Sequence, residues 1–159
     1  MNTPDTQTDR IWRPSVTVAA VIEHDGRFLM VHERQDGRAV YNQPAGHLEH
    51  GESLCEAVIR ETLEETTGIF QPTAVIGVYR WVEPNSGRTY LRVCFTGRCS
   101  HFDTGRALAP EIIRTLWMSR ADLEAVAENL RSPLVMRCIE DYLKGTRHPL
   151  SLLADLAEM

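Results

Sequence analysis

The chain has 159 residues, of which 43% are hydrophobic and 25% charged, and its formal net charge is −5. This length and composition predict one soluble globular domain and exclude a disordered or fibrous protein. The negative charge argues against binding to a nucleic-acid backbone, which requires a basic face. A small phosphorylated ligand stays compatible with it, because a bound metal ion locally reverses the sign of a site.

The N-terminal composition, the hydropathy pattern and the cysteine pattern all predict a cytoplasmic location. Residues 1–13 are polar and aperiodic, so we expect a flexible lead with no secretory signal, followed by one domain over residues 14–159. No apolar run is long enough to span a membrane. The cysteines form no CxxC pair and are expected to be free thiols in a reducing compartment.

The first part of the chain predicts strands joined by tight turns. A β-branched run over residues 16–22 predicts a buried strand, and residues 27–31 predict its returning partner. Residues 39–43 predict a short extended piece. Asp-Gly pairs at 25–26 and 36–37 are typical of the turns between these segments.

A helix is predicted over residues 52–67, where no Gly or Pro interrupts the chain, with Gly68 as its terminator. Strand patterns then resume at residues 73–81, 90–96 and 112–118. The alternation of strands and helices predicts an α/β fold, with a mixed β-sheet sandwiched between helices in a single domain.

The C-terminal part is predicted to be helical. Ser119 is a favoured N-cap for a helix that runs to about Leu130. Pro133 opens a last helix that ends at Gly145. Residues 150–156 are compatible with either a short docked helix or a frayed tail.

Three carboxylates in the central helix carry the functional argument. Glu61, Glu64 and Glu65 are three and four residues apart, so they are neighbours on one helix face. At about 100° per residue, they continue the apolar stripe that Leu54 and Val58 begin. A solvated acidic face, the structural alternative, is expected opposite that stripe. The pattern therefore favours carboxylates that point toward the protein body.

Inward carboxylates must be protonated, paired or bound to cations. Arg60 offers one positive charge to three acids, so the pattern predicts a divalent metal ion. Mg²⁺ is the expected ion and Mn²⁺ an acceptable one, because both favour oxygen ligands and bridge carboxylates to phosphates.

This stretch resembles the Nudix box, in which Gly, Glu, Arg-Glu, Glu-Glu and a final Gly recur at fixed spacing. The residues in register are Gly46, Glu52, Arg60, Glu61, Glu64 and Glu65. The chain departs from the pattern at Thr62, where an aliphatic residue is usual, and has one extra residue before Gly68. We expect the extra residue to alter the helix C-cap and not the metal geometry.

The resemblance extends to residues 16–21, 42–49 and 129–135, which look like a bacterial Nudix subgroup. That subgroup hydrolyses thiamine pyrimidine pyrophosphate, thiamine pyrophosphate and nucleoside di- and triphosphates, and releases orthophosphate. The resemblance therefore implies a metal-dependent hydrolase with the Nudix fold that acts on a small-molecule pyrophosphate by attack of water on phosphorus.

The resemblance also assigns roles to the box residues. It implies Glu64 and Glu65 as the primary metal ligands, Glu61 as a ligand or the base, and the Gly46 carbonyl as a further ligand. Arg60 is expected to orient the carboxylates.

Two further acids receive roles from the same resemblance. Glu52 is expected to position the box from the helix N-terminus. Glu111, six residues before Trp117, is a candidate extra ligand or base, with an exposed turn glutamate as the alternative.

Four residues are candidates to bind the organic part of the substrate. Tyr79 and Trp81 alternate onto one face of a predicted strand, where they either stack on a ring or belong to the core. Asn42 and Gln43 either hydrogen-bond a ring edge or form a turn. Arg92 either meets phosphates or edges the sheet, and we expect the sheet edge.

Two alternatives to this assignment stay open. One is a housekeeping hydrolase of mutagenic nucleoside triphosphates that releases pyrophosphate. The other is a regulatory ligand-binding module on a Nudix scaffold, which the intact acids argue against. The sequence predicts no nucleic-acid or membrane partner, and it leaves a monomer and a homodimer equally open.

Overall fold

A computed structural model describes residues 11–156, so most of the predicted flexible lead lies outside the described residues. In this range the chain forms eight strands, three α-helices and two short 3₁₀ turns. The strands are β1 (Ser15–Val21), β2 (Glu23–His24), β3 (Arg27–Gln35), β4 (Arg38–Asn42), β5 (Ala45–His47), β6 (Ile69–Val82), β7 (Thr89–Ser100) and β8 (Ile112–Ser119). The α-helices are α1 (Leu54–Thr66), α2 (Arg120–Ala125) and α3 (Leu134–Leu143).

The strands form two sheets, where the sequence predicts one. The first has the order β5-β1-β7-β6 and is mixed, since β1 and β7 are parallel and the other pairs antiparallel. In the second, β2, β4 and β8 all pair with β3. β5 and β7 occupy both edges of β1, and β3 lies in the second sheet between β4 and β8.

Helices cover both faces of the first sheet. Alternate residues of β1 point to opposite faces, as the period of a strand requires. One face packs under α3, in a buried cluster that includes Ala19, Cys94, Val135 and Ile139. The other packs under α1, in a cluster that includes Val18, Phe95, Ala57 and Val58. The predicted sandwich of helices around a mixed sheet is confirmed.

The boundaries of α1 follow from its caps. Ser53 and Glu56 form a capping box at the N-terminus, two residues inside the predicted start. The helix ends at Thr67, whose φ of 62° is left-handed, and not at Gly68. The extra residue has therefore placed a β-branched side chain in the conformation that glycine favours. Thr62 is fully buried, and its hydroxyl donates to the Val58 carbonyl at 2.8 Å.

The C-terminal helices are shorter than predicted. The segment after Ser119 forms α2 and then a 3₁₀ turn at Ala127–Asn129. A second 3₁₀ turn, Leu150–Leu152, lies in the tail for which the sequence left a docked helix and a frayed end open. Within residues 11–156, none of the helices combines the length and hydropathy that a membrane span demands.

Candidate active site

A cleft of about 530 Å³ opens beside α1 and collects most of the predicted site residues. Its volume lies in the range of small-molecule sites. Helix α1 forms one wall, the first sheet supplies the floor, and β3, β4 and the chain before α3 close the other side. The predicted residues that line it are Asn42, Gly46, Arg60, Glu61, Glu64, Glu65, Trp81 and Glu111.

Arg60 is the hub of the acidic wall. Its guanidinium donates to Glu52 through Nε at 2.9 Å and Nη2 at 2.7 Å, a bidentate pair. Nη1 donates to Glu61 at 2.8 Å and to Glu64 at 3.4 Å. The hydrogen bonds to Glu52 raise the pKa of Arg60 and lower the pKa of Glu52. Arg60, held by Glu52, is therefore placed to orient the carboxylates of Glu61 and Glu64. Glu52 itself does not line the cleft.

Among the box carboxylates, Glu65 and Glu61 are the most withdrawn from water. Glu65 is 3% exposed, and its Oε2 accepts from the Ala45 backbone N–H at 2.8 Å. Burial raises the pKa of Glu65 well above its usual range, and the neighbouring acids Glu33, Glu61 and Glu111 add to the effect. Burial also raises the pKa of Glu61, which Arg60 partly offsets. These two side chains point inward, as the helical stripe predicts, while Glu64 is half exposed.

Gly46 lies against the Glu61 carboxylate. A Cβ atom at this position would overlap the carboxylate carbon and both oxygens of Glu61. A residue without a side chain is therefore required for Glu61 to reach its place in the cleft.

The donor set suits a hard cation, although the acids have other partners in this structure. Among residues 11–156, no three His, Cys, Asp or Glu side chains are grouped as they would be around an ion. The reason is visible in the contacts: Arg60 draws Glu61 and Glu64 to one side, and the Ala45 N–H holds Glu65. The buried, charge-crowded Glu65 and the close approach of Gly46 to Glu61 fit an oxygen-rich Mg²⁺ or Mn²⁺ site.

Two further acids face the cleft. Glu111 lines it from the turn before β8, and within residues 11–156 its carboxylate has no hydrogen-bond or ion-pair partner. Glu33 was missed by the sequence analysis. It is 7% exposed, and burial raises its pKa. The signal was the alternation of β3, which puts Glu33 on the same face as the apolar Leu29 and Val31.

The two predicted aromatic residues have different environments. Trp81 lines the cleft and stacks on Tyr90, with ring centroids 5.6 Å apart and an interplanar angle of 25°. Tyr79 packs against the cluster under α3, and its hydroxyl donates to Asp141 at 3.1 Å. The prediction that Tyr79 contacts substrate is therefore corrected: α3 covers Tyr79, while Trp81 lies two residues beyond that cover.

Asn42 and Gln43 also lie in different environments. Asn42 lines the cleft, and its amide nitrogen donates to Glu33 at 3.1 Å. Gln43 is 1% exposed and does not line the cleft, because its amide nitrogen donates to the Val135 carbonyl at 2.8 Å. Gln43 thus links the sheet to α3, and its predicted contact with a ring edge is corrected.

Arg92 is the other correction. The sequence predicts that it edges the sheet, yet it lies in the floor of the cleft and is 6% exposed. Strand alternation places it on the face that Cys94 shares. β7 lies between β1 and β6, and α3 packs against this face of the sheet.

Comparison with known proteins agrees with this geometry. The NUDIX domain family model matches residues 12–138. The chain is 39% identical over 145 residues to phosphatase NudJ of Escherichia coli K12, covering 91% of this chain and 94% of that one. The chain belongs to the Nudix hydrolase family. The predicted family, the Nudix fold and enzymatic activity as a hydrolase are confirmed.

Solved Nudix structures share the fold. A NUDIX hydrolase from Nitrosomonas europaea is 45% identical, with a TM-score of 0.90, and the match covers 92% of this chain and 100% of that one. A bifunctional NMN adenylyltransferase/ADP ribose pyrophosphatase from Francisella tularensis, complexed with AMP and a Mn ion, is 20% identical. It has a TM-score of 0.62 over 86% of this chain and 43% of that one, which shows the fold alone.

Proposed function

We propose that this Nudix hydrolase cleaves a phosphate–phosphate bond in an organic pyrophosphate with the help of Mg²⁺. Mn²⁺ is able to take the place of Mg²⁺ in this reaction. The observation that carries the proposal is the convergence of Glu61, Glu64 and Glu65 on one cleft next to Gly46. The resemblance of the outer segments to a subgroup that acts on thiamine pyrimidine pyrophosphate, thiamine pyrophosphate and nucleoside di- and triphosphates supports the substrate class.

The box residues divide the work of holding the ion. Glu64 and Glu65 are the proposed primary ligands, with Glu61 and the Gly46 carbonyl beside them. Glu52 holds Arg60, and Arg60 in turn fixes the carboxylates of Glu61 and Glu64, since one guanidinium spans all three acids. Bound Mg²⁺ supplies neutralisation of the phosphate charge and Lewis-acid activation of water.

Glu111 is the proposed proton acceptor. A general base needs a carboxylate that is free to approach the attacking water, and Glu61 and Glu65 are both engaged by hydrogen bonds. Glu111 faces the same cleft without such a partner in the described residues. Glu111→Gln should lower kcat at unchanged Mg²⁺ affinity, whereas an equal loss of metal affinity would make Glu111 a ligand.

A panel of pyrophosphates tests the proposal. The protein is incubated with Mg²⁺ and thiamine pyrimidine pyrophosphate, thiamine pyrophosphate or nucleoside triphosphates, and both orthophosphate and pyrophosphate are measured. Orthophosphate as the product supports the proposed reaction. Pyrophosphate released from nucleoside triphosphates would assign the housekeeping activity instead. Binding without turnover of any compound would favour the ligand-binding module.

A further inference from the structure

Four arginines line the cleft, and they differ in how much of each guanidinium is free to meet a ligand. They are Arg34, Arg60, Arg92 and Arg131. Arg60 is already paired with four carboxylates of the box region. Arg92 is 6% exposed, and its Nη1 donates to Gln43 Oε1 at 3.4 Å, so little of it is open to a ligand. Arg34 is exposed to water, which screens its charge.

Arg131 is partly buried and still has free hydrogen-bond donors. Its side chain is 23% exposed, and within residues 11–156 its guanidinium donates no hydrogen bond. Its Nε lies 3.8 Å from Glu33 Oε1, which is an ion-pair contact beyond hydrogen-bond distance. That oxygen already accepts from the Asn42 amide at 3.1 Å. The free N–H groups of a partly buried cation favour an incoming anion.

The backbone holds Arg131 on the side of the cleft across from α1. The Arg131 N–H donates to the Tyr41 carbonyl at 2.8 Å, and Leu130 forms a parallel bridge with Tyr41. The next residue, Ser132, is 8% exposed and also lines the cleft. The segment that carries Arg131 is therefore fixed to β4, and its guanidinium reaches the cleft from the side opposite the box glutamates.

A diphosphate has two phosphoryl groups, and the acidic wall of α1 accounts for only one side of it. In the proposed function, a cation on that wall draws phosphate oxygens toward α1. The oxygens that turn away from the wall need donors from the rest of the cleft. The planar fork of an arginine donates two parallel hydrogen bonds to one phosphoryl group, which the point charge of a lysine does not. Arg131 is placed and free to do this.

We infer that Arg131 binds the second phosphoryl group of the substrate, the one that the acidic wall does not hold. The two sides of the cleft then grip one phosphoryl group each, so the site prefers a diphosphate to a monophosphate. This inference rests on the proposed function and deepens it, by naming the residue that distinguishes the two kinds of anion.

Two non-hydrolysable anions test the inference by calorimetry in Mg²⁺. Methylenediphosphonate offers two phosphoryl groups, and methylphosphonate offers one. The wild type should bind the first at least about tenfold more tightly than the second. Arg131→Met should lower this preference by about tenfold, because two charge-assisted hydrogen bonds are lost. Every variant meets the same solutions, so chelation of Mg²⁺ by the anions cancels between variants.

Arg131→Lys separates the hydrogen-bonding fork from the charge. It keeps a cation beside Glu33 and should unfold at the wild-type urea concentration, but it should lose about threefold of the preference. Arg27→Met is the matched control, since Arg27 pairs with Asp122 at 3.4 Å outside the cleft. It should leave the preference unchanged.

Three results would overturn the inference. The first is a wild type that binds both anions equally or binds neither. The second is an unchanged preference in Arg131→Met. The third is an equal weakening of both anions in that variant together with a loss of stability, which would mean that Arg131 only neutralises the buried Glu33.

The binding measurement is independent of turnover, because neither anion is hydrolysed. A preference that falls in Arg131→Met supports the inference even if the protein hydrolyses none of the pyrophosphates in the panel, a result that would refute the proposed function alone. Hydrolysis of pyrophosphates combined with a preference that Arg131→Met leaves intact would keep the proposed function and refute the role of Arg131.

Discussion

The two sides of the cleft are built in opposite ways. In the acidic wall of α1, Glu61 and Glu64 are held by Arg60, and Glu65 by a backbone N–H. In the floor, Thr17, Asn42 and Arg92 carry buried polar atoms that have no protein partner in the described residues. The carboxylates of the wall thus have partners that we expect a metal ion to replace, while the floor keeps buried polar atoms without a partner in the described residues.

Removing a carboxylate from the wall should have the largest effect. Glu64→Gln or Glu65→Gln should lower kcat/KM by roughly a thousandfold with a cooperative unfolding transition retained, because a proposed metal ligand is lost. Glu56→Gln is the matched control: it lies on the same helix, and glutamine keeps the capping box. Turnover at the wild-type rate in either variant would remove the metal site from the mechanism.

Gly46→Ala perturbs the acidic wall without replacing any of its glutamates. The new Cβ must displace the Glu61 carboxylate, which is the mobile end of a side chain, so the fold tolerates the change but the site does not. We expect a roughly hundredfold loss of kcat/KM with a change in stability below about 1 kcal/mol. Gly105→Ala, whose Cβ would meet only Asp103 Oδ1 at 3.3 Å, is the control. Normal kinetics in Gly46→Ala would show that the position of Glu61 is not critical.

Arg60→Gln tests whether the wall exchanges cations. Without metal, the variant loses the counter-charge of four acids and should be less stable by about 2 kcal/mol in urea unfolding with EDTA. With Mg²⁺ that deficit should shrink, because the ion takes over the carboxylates. A deficit of the same size in EDTA and in Mg²⁺ would mean that the ion and Arg60 do not share ligands.

Trp81→Ala and Tyr79→Phe compare a residue that lines the cleft with one that α3 covers. Trp81→Ala should raise KM for a pyrimidine pyrophosphate by about three- to tenfold and leave inorganic substrates less affected, since a stacking surface is lost. Tyr79→Phe should leave both KM values unchanged and cost about 1 kcal/mol of stability through the lost bond to Asp141. Equal effects of Trp81→Ala on ring and inorganic substrates would contradict stacking of the substrate ring on Trp81.

The smallest effect concerns Asp141, which accepts a hydrogen bond from Tyr79 outside the cleft. The hydrogen bond from Arg137 and the contact with Tyr79 lower the pKa of Asp141 in the folded state. Its contribution, about 1 kcal/mol, is therefore present above the unfolded pKa of about 4 and is lost as the pH falls through the folded value. The wild type should exceed Asp141→Asn in urea stability at neutral pH, and the gap should close in acid. A gap independent of pH would contradict this linkage.

The sequence alone determined the family, the fold class and the acidic wall. Glu61, Glu64 and Glu65 are close in the chain, so helical spacing places them together whatever the rest of the fold does. The main strand segments were predicted for the same reason, since alternation is a local property. The helix ends were displaced because Ser53 and Thr67 cap α1 through contacts that propensity does not encode.

The floor was decided by tertiary structure. Thr17, Asn42 and Arg92 come from three different strands, and no local pattern says that they line one cleft. Tyr79 and Trp81 look equivalent on their strand, yet the position of α3 buries one and opens the other to the cleft. Local periodicity fixes which face a side chain takes, whereas long-range packing fixes what that face meets.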